Sequence, residues 1–175
     1  MRIVFCGVGA LGSTAVVLCR SLPVELRLVD FDRVESKNLA AQAFVKQSLG
    51  RNKAEALGVR VVDGNVAEVC AGAGVIVDCF DNRAGRAVLS AHARAAQLPL
   101  LHAALSGDGR CGVGRWDERF VADAEDQPGQ ATCEGGEHLP FIGLLAAALA
   151  RALQDFVTDG RRRDAVVSLS SVSTF

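Results

Sequence analysis

An α/β fold, a mostly parallel sheet with helices on both faces, is predicted by two observations: apolar strand-like runs alternate with helical stretches, and the first run passes straight into a glycine turn. At 175 residues, 50% of them hydrophobic, the chain can bury one good core, so residues 1–175 are expected to form a single domain. Strands are placed near Ile3–Cys6, Glu25–Val29, Val59–Val62, Val75–Cys79 and Leu100–Ala104, with two more at Arg110–Trp116 and Ala165–Ser170. Helices are expected at Leu11–Leu22, Asn52–Leu57, Ala84–Gln97 and Phe141–Val157. In the last, Leu144, Leu145, Ala148, Leu149, Ala152 and Leu153 form a continuous apolar stripe. Residues 117–139, acidic and Gly-rich, show no periodicity and are expected to be a long crossover loop, a feature that in a compact domain usually carries function.

The glycine turn points to a nucleotide. In RIVFCGVGALGS, Gly7 suits a tight turn, Gly9 lets the backbone approach a phosphate, and Gly12 lets helix and strand pack closely. Amides at the start of the following helix then face the anion. A glycine pattern of this kind recurs in many nucleotide enzymes. Here VELRLVDFD adds a second buried strand ending in Asp30, where an acidic side chain takes ribose hydroxyls.

Composition excludes other classes. The 19 Lys and Arg residues nearly balance 20 Asp and Glu, so no global field argues for nucleic acid or an anionic membrane. No apolar run of the roughly 20 residues that a membrane span needs stands out, and the expected location is cytoplasmic. Cys6, Cys19, Cys70, Cys79, Cys111 and Cys133 sit at irregular spacings without a C-x-x-C pair, so neither a disulfide scaffold nor a zinc site is expected. His92 and His102 lack partners at metal-ligand spacing and are read as core or surface histidines.

Beyond the second strand, the segments LVDFDRVESKNLAAQAF, SLGRNKAEAL and VIVDCFDNRAGR follow one another, with a Cys in the long loop ahead of P-x-x-G and an apolar helix. In that order they resemble the ubiquitin-activating-enzyme superfamily, whose bacterial members are of the ThiF, MoeB and HesA type. The resemblance implies a Rossmann-like fold. It also implies adenylation, with ATP and Mg2+, of the C-terminal carboxylate of a small ubiquitin-like or sulfur-carrier protein, and a homodimeric or heteromeric assembly.

Such a reaction forces two anions together, so cations and a metal must offset charge while the geometry is held in line. By the resemblance, Lys53 is the cation, Asp30 the ribose ligand and Asp81 the magnesium ligand, while Asn38 and Gln42 reach toward the phosphates. Asp32 either shapes the phosphate pocket or caps its loop. Asp81 and Asn82 follow the fourth strand at the sheet's carboxyl edge, where ligands of open parallel sheets bind, although an Asp or Asn there also serves as a helix cap. Arg86 is expected to brace Asp81 along the helix face.

Cys133 is the candidate nucleophile, since its surroundings resemble the family segment whose Cys takes the activated acyl group as a thioester or its sulfur as a persulfide. Glu134 and Glu137 disfavour its thiolate, and His138 is a nearby base. Cys111 lies in a Gly-rich, possibly strand-edge run; the remaining cysteines read as packing residues.

The chain departs from the family at two places. Ala41 stands where the family carries an Arg beside Gln42, with Arg51 the substitute at hand, and the first strand begins at residue 2, where relatives have helices that lend an Arg to a neighbouring subunit. Two alternatives therefore stand beside the adenylating enzyme. One is a non-catalytic, partner-binding subunit of the same fold. The other is a nicotinamide-dependent oxidoreductase using Gly7, Gly9, Gly12 and Asp30.

Overall fold

The computed structural model describes residues 1–58, 60–61, 65–106, 109–118, 120, 139–168 and 172–174. In chain order the elements are β1 (Arg2–Cys6), α1 (Ala10–Cys19), β2 (Glu25–Val29), two 3-10 turns (Ser36–Ala40 and Lys46–Ser48), α2 (Lys53–Ala56), β3 (Arg60–Val61), α3 (Val66–Val69) and β4 (Val75–Asp78). They continue with α4 (Arg83–Ala96), β5 (Leu100–Leu105), β6 (Cys111–Trp116), α5 (Leu139–Asp159), β7 (Ala165–Ser168) and β8 (Val172–Thr174). The strands form one sheet in the order β3-β2-β1-β4-β5-β6-β7-β8. Pairing is parallel from β3 to β5 and antiparallel from β5 to β8.

The expected α/β, Rossmann-like architecture is borne out. Ile3, Val4, Phe5 and Cys6 are all buried, as a central parallel strand covered on both faces requires. Ile3 and Phe5, with Val75, Val77, Leu101 and Ala103, face a layer made by α1 and α5. Val4, Cys6, Ile76 and Leu100 face the layer that holds Val69 of α3 and Leu89 and Ala93 of α4. α5 lies close on β6 because Gly112 and Gly114 leave room: a Cβ at either would meet Leu145 Cδ2 at 2.6 Å or Leu149 Cδ2 at 2.7 Å.

Several expectations need correction. α1 stops at Cys19, short of Leu22, because Pro23 disfavours helical geometry at the residue before it. α3 and β8 were not anticipated; each is a few residues long, too short for periodicity to register. β6 is no edge strand, since it lies between β5 and β7. On α5, Leu144 is 50% exposed and off the buried stripe, which runs instead through Phe141, Ile142, Leu145, Ala146, Leu149, Ala152 and Leu153. α5 is also long and apolar enough to cross a membrane by length and composition. Its packing against α1, β6 and β7 accounts for that apolarity within the fold.

Candidate nucleotide site at the carboxyl edge of the sheet

The chain crosses to opposite sides of β1 here: β2 and β3 lie on one side, β4 and β5 on the other. That reversal opens a crevice beyond the carboxyl ends of β1 and β4, the usual ligand position in such sheets. Strand register sets Val29, Cys6, Asp78 and His102 side by side across β2, β1, β4 and β5 at this edge.

The glycine turn fills the crevice floor. Gly7 has a φ of 87° and its amide donates to Val29 O at 2.9 Å; a Cβ there would come within 2.7 Å of Cys79 O. A Cβ on Gly12 would collide with Gly7 O, so helix and turn touch backbone to backbone. Gly9 is different. A Cβ there would meet nothing within 4 Å, and Gly9 caps α1 without any side-chain hydrogen bond, so the helix start faces open space.

Asp30 closes the turn. Its Oδ2 accepts the Val8 amide at 2.7 Å and its Oδ1 accepts the Asp32 amide at 2.9 Å. Burial raises its carboxyl above the ordinary value, against the lowering pull of those amides and of Lys53. Asn52 Nδ2 donates to Asp30 O at 2.7 Å while its Oδ1 caps Ala54 and Glu55, which fixes α2 against the end of β2. The next residue, Lys53, is buried and its Nζ lies 2.9 Å from Asp32 Oδ2. Asp32 itself is largely exposed. Asp30, Asp32 and Lys53 thus form one cluster.

The polar pair after β2 divides. Asn38 is buried with its Oδ1 accepting the Glu35 amide at 2.9 Å, a structural role in closing the 3-10 turn. Gln42 Oε1 is buried with no hydrogen-bond partner among the described residues. Ser13 Oγ accepts the Ala43 amide at 2.9 Å, which sets this segment against the first turn of α1. Ala41 packs against the core, and Arg51 turns to Glu55 O at 3.3 Å, so it does not substitute for a cation at position 41.

At the end of β4, Asp81 is exposed and engaged by no hydrogen bond or ion pair among the described residues, whereas Asn82 Oδ1 caps α4 through the Gly85 amide at 2.8 Å. Arg86 does not brace Asp81. Five residues on, it points elsewhere on the helix: its Nη1 lies 2.6 Å from His102 Nε2 and its Nη2 donates to Ala103 O at 3.4 Å. His102 Nδ1 lies 2.8 Å from Asp78 Oδ2, and both residues are buried. Arginine can only donate, so Nε2 accepts and Nδ1–H donates to Asp78. Sequence reasoning missed this chain because Asp78, Arg86 and His102 come from three elements with no shared spacing.

Beside the turn lies a cavity of about 370 Å³ whose walls include Val29, Phe31, Val66, Val69, Phe80 and Val88. Phe31 is 73% exposed at this site. Among the described residues no group of three or more His, Cys, Asp or Glu side chains gathers, so a divalent ion here would rest on Asp81 and oxygens of a bound phosphate, an arrangement magnesium accepts.

Cys133, Glu134, Glu137 and His138 lie outside the described residues. Cys6, Cys19 and Cys70 are buried, and Cys79 and Cys111 are half-buried. Burial pushes the Cys19 thiol up to about 12 and raises Cys79 as well. Cys6 is raised and Cys70 lowered by the hydrogen bond between them. On α5, Leu149 is fully buried and Ala148 half-buried, so Leu149 offers no surface for contact with another subunit.

Comparison with known proteins agrees with this picture. Residues 1–66 match the ThiF family. The chain is 34% identical to the SAMP-activating enzyme E1 of Haloferax volcanii, in an alignment covering 59% of this chain and 45% of that protein. Its fold is similar to that of E. coli MccB, with a TM-score of 0.74 at 17% identity over 99% of this chain and 61% of MccB. It is also similar to E. coli MccB with ATP, with a TM-score of 0.70 at 18% identity over 99% of this chain and 62% of that one. E. coli TcdA, a tRNA N6-threonylcarbamoyladenosine dehydratase solved with AMP, gives a TM-score of 0.61 at 21% identity over 85% of this chain and 84% of that one. The chain therefore spans less than half the length of the curated relative it matches.

Proposed function

We propose that this chain, whose residues 1–66 match the ThiF family, is an E1-like enzyme that binds ATP and adenylates the C-terminal carboxylate of a small ubiquitin-like or sulfur-carrier protein. The observation that carries the reading is the order of features along the crevice. Val29 and Phe31 border the apolar cavity, Asp30 between them turns its carboxylate to the glycine turn, and the turn ends at the open start of α1. Base, ribose and phosphates of one nucleotide fit that succession.

Each residue then has a task. The cavity takes the adenine, with Phe31 offering an aromatic face. Asp30 has lone pairs left for ribose hydroxyls after its amide bonds. The amides after Gly9 meet the phosphates, and the unpartnered Gln42 Oε1 marks a polar position awaiting a donor. Lys53, held by Asp32 in the ligand-free protein, offsets charge as the substrate carboxylate attacks the α-phosphorus and pyrophosphate leaves. Asp81 would hold magnesium, which neutralises phosphate charge. Cys133 would then displace AMP from the mixed anhydride to conserve the activation as a thioester.

Ala41, packed on the core, favours a second reading: a nucleotide-binding subunit whose adenylation needs a cation from another chain. The relative from Haloferax volcanii is a SAMP-activating enzyme, which supports a small protein substrate; assembly as a homodimer or heteromer is part of the proposal. ATP–pyrophosphate exchange, measured with and without a candidate ubiquitin-fold protein, tests the proposal. Exchange dependent on that protein is expected. ATP binding without exchange favours the second reading, and tight NADH binding with no ATP binding overturns both.

A further inference from the structure

The chain Asp78–His102–Arg86, its first two members buried and Arg86 half-buried, takes no part in the proposed reaction, yet it joins three elements at the edge of the site. Asp78 Oδ1 accepts the Phe80 amide at 3.0 Å, next to Asp81, while its Oδ2 accepts the hydrogen bond donated by His102 Nδ1–H. Arg86 sits one turn into α4, the helix that Asn82 caps, and reaches back to β5. On the ring of His102 stacks Phe120, with centroids 3.8 Å apart and planes 23° from parallel. Phe120 O in turn accepts Ser90 Oγ at 2.7 Å. Charge balances along the chain, with one carboxylate, one neutral imidazole and one guanidinium. The imidazole cannot serve as a base toward the crevice, because both ring nitrogens are engaged. Arg115, the register partner of His102 on β6, is exposed and paired to Asp164.

We propose that Asp78, His102 and Arg86 are a positioning chain that locks the β4–α4 turn bearing Asp81 and Asn82 onto β5 and onto the start of the segment leading to Cys133. On the adenylation reading, on which its consequence for rate rests, the chain sets where Asp81 stands relative to the phosphates. A turn freed to shift by about an ångström loses on the order of 100-fold in rate without comparable loss of ground-state binding. Asp30 and the glycine turn lie on the β1 and β2 side and keep their contacts, whereas Phe80 and Asn82 of the β4–α4 turn and Gly85 of α4 also wall the base cavity.

The test uses the full chain with Arg86→Met, His102→Asn and the double variant. Asn keeps a donor for Asp78, so the buried carboxylate stays paired and the fold is retained. Met keeps the His102–Phe120 stack. Two measurements are made. In the ligand-free protein, amide hydrogen exchange at Gly85 and Arg86 is expected to quicken about tenfold in each variant. In pyrophosphate exchange, each single variant is expected to lose about 100-fold in kcat with a smaller rise in KM for ATP, since Phe80 and Asn82 of the same turn also wall the base cavity, and the double variant to lose no more than either, as groups acting as a unit do. Additive losses, or amide exchange unchanged from wild type, overturn the proposal. A wild-type protein that shows no pyrophosphate exchange defeats the adenylation reading instead, and the amide measurement still decides the chain.

Discussion

Asp30 Oδ2 accepts the backbone amide of Val8 at 2.7 Å, so the acid that ends β2 closes the glycine turn that ends β1. One side chain therefore serves both the fold and the proposed ribose contact. The two demands differ in how they respond to pH.

Burial raises the Asp30 carboxyl above its ordinary value of 3.8. A carboxyl raised in the folded state binds its proton more tightly there than when unfolded, so its contribution to stability is present below pH 3.8 and is lost as pH rises through the folded value. Asp30→Asn removes this titration while keeping an oxygen acceptor. Urea unfolding at several pH values should show wild type losing stability relative to the variant as pH climbs from below 3.8. A difference that is flat or grows in wild type's favour contradicts this.

Gly12 and Gly9 should respond in opposite ways to the same substitution. Gly12→Ala forces a Cβ onto Gly7 O and should cost about 1 to 3 kcal/mol or more, read from thermal unfolding. Gly9→Ala has open space and a φ of −69°, so its stability should stay within about 0.5 kcal/mol of wild type. Its methyl instead occupies the approach to the phosphates. Losing one hydrogen bond to a charged group, about 1.5 to 3 kcal/mol, should weaken ATP about tenfold or more by calorimetry. Equal binding by Gly9→Ala and wild type would place the phosphates elsewhere.

Lys53→Ala and Asp81→Ala should each lower pyrophosphate exchange by about 100 to 1,000-fold, the scale of losing one group that offsets transition-state charge. Asp81→Ala should change stability by about 0.5 kcal/mol or less, because Asp81 is exposed, while Lys53→Ala also removes a buried stem and should cost about 1 to 3 kcal/mol. Wild-type exchange in both variants would remove adenylation from this crevice.

These residues also show what could be read before the fold was known. The glycine turn at Gly7 and Gly12 and the end of β2 at Asp30 were legible because each depends on its own turn or strand, whereas Lys53 came from the resemblance. The strands β1 and β4 were legible because burial on both faces leaves the apolar runs Ile3–Cys6 and Val75–Val77, whereas β2 and β5 were legible despite the buried polar residues Arg27 and His102 within them. The antiparallel turn of the sheet after β5 was not, since alternation of elements carries no direction. Arg86 was misassigned because its partner, His102, arrives from β5, sixteen residues away, and helix spacing describes only neighbours on one helix. Leu144 was misplaced for a related reason: adjacent leucines cannot both face the core, and the choice between them depends on what α5 packs against.

The cysteines offer the sharpest separation between packing and chemistry. Cys19 and Cys79 carry thiols raised by burial, the first to about 12, so neither offers appreciable thiolate near neutral pH. Iodoacetamide applied to the native protein at pH about 8 should leave both unlabelled in peptide mapping, since the free thiol value is about 8.5. Cys133, proposed to attack the adenylate, should behave differently. Because adenylation precedes thiol attack, Cys133→Ala should keep pyrophosphate exchange and lose a reductant-sensitive adduct with the partner on non-reducing gels. Cys19→Ala should keep both, as its side chain is enclosed between α1 and the sheet. A wild-type protein that adenylates its partner yet forms no adduct would assign Cys133 no covalent step and end the reaction at the anhydride.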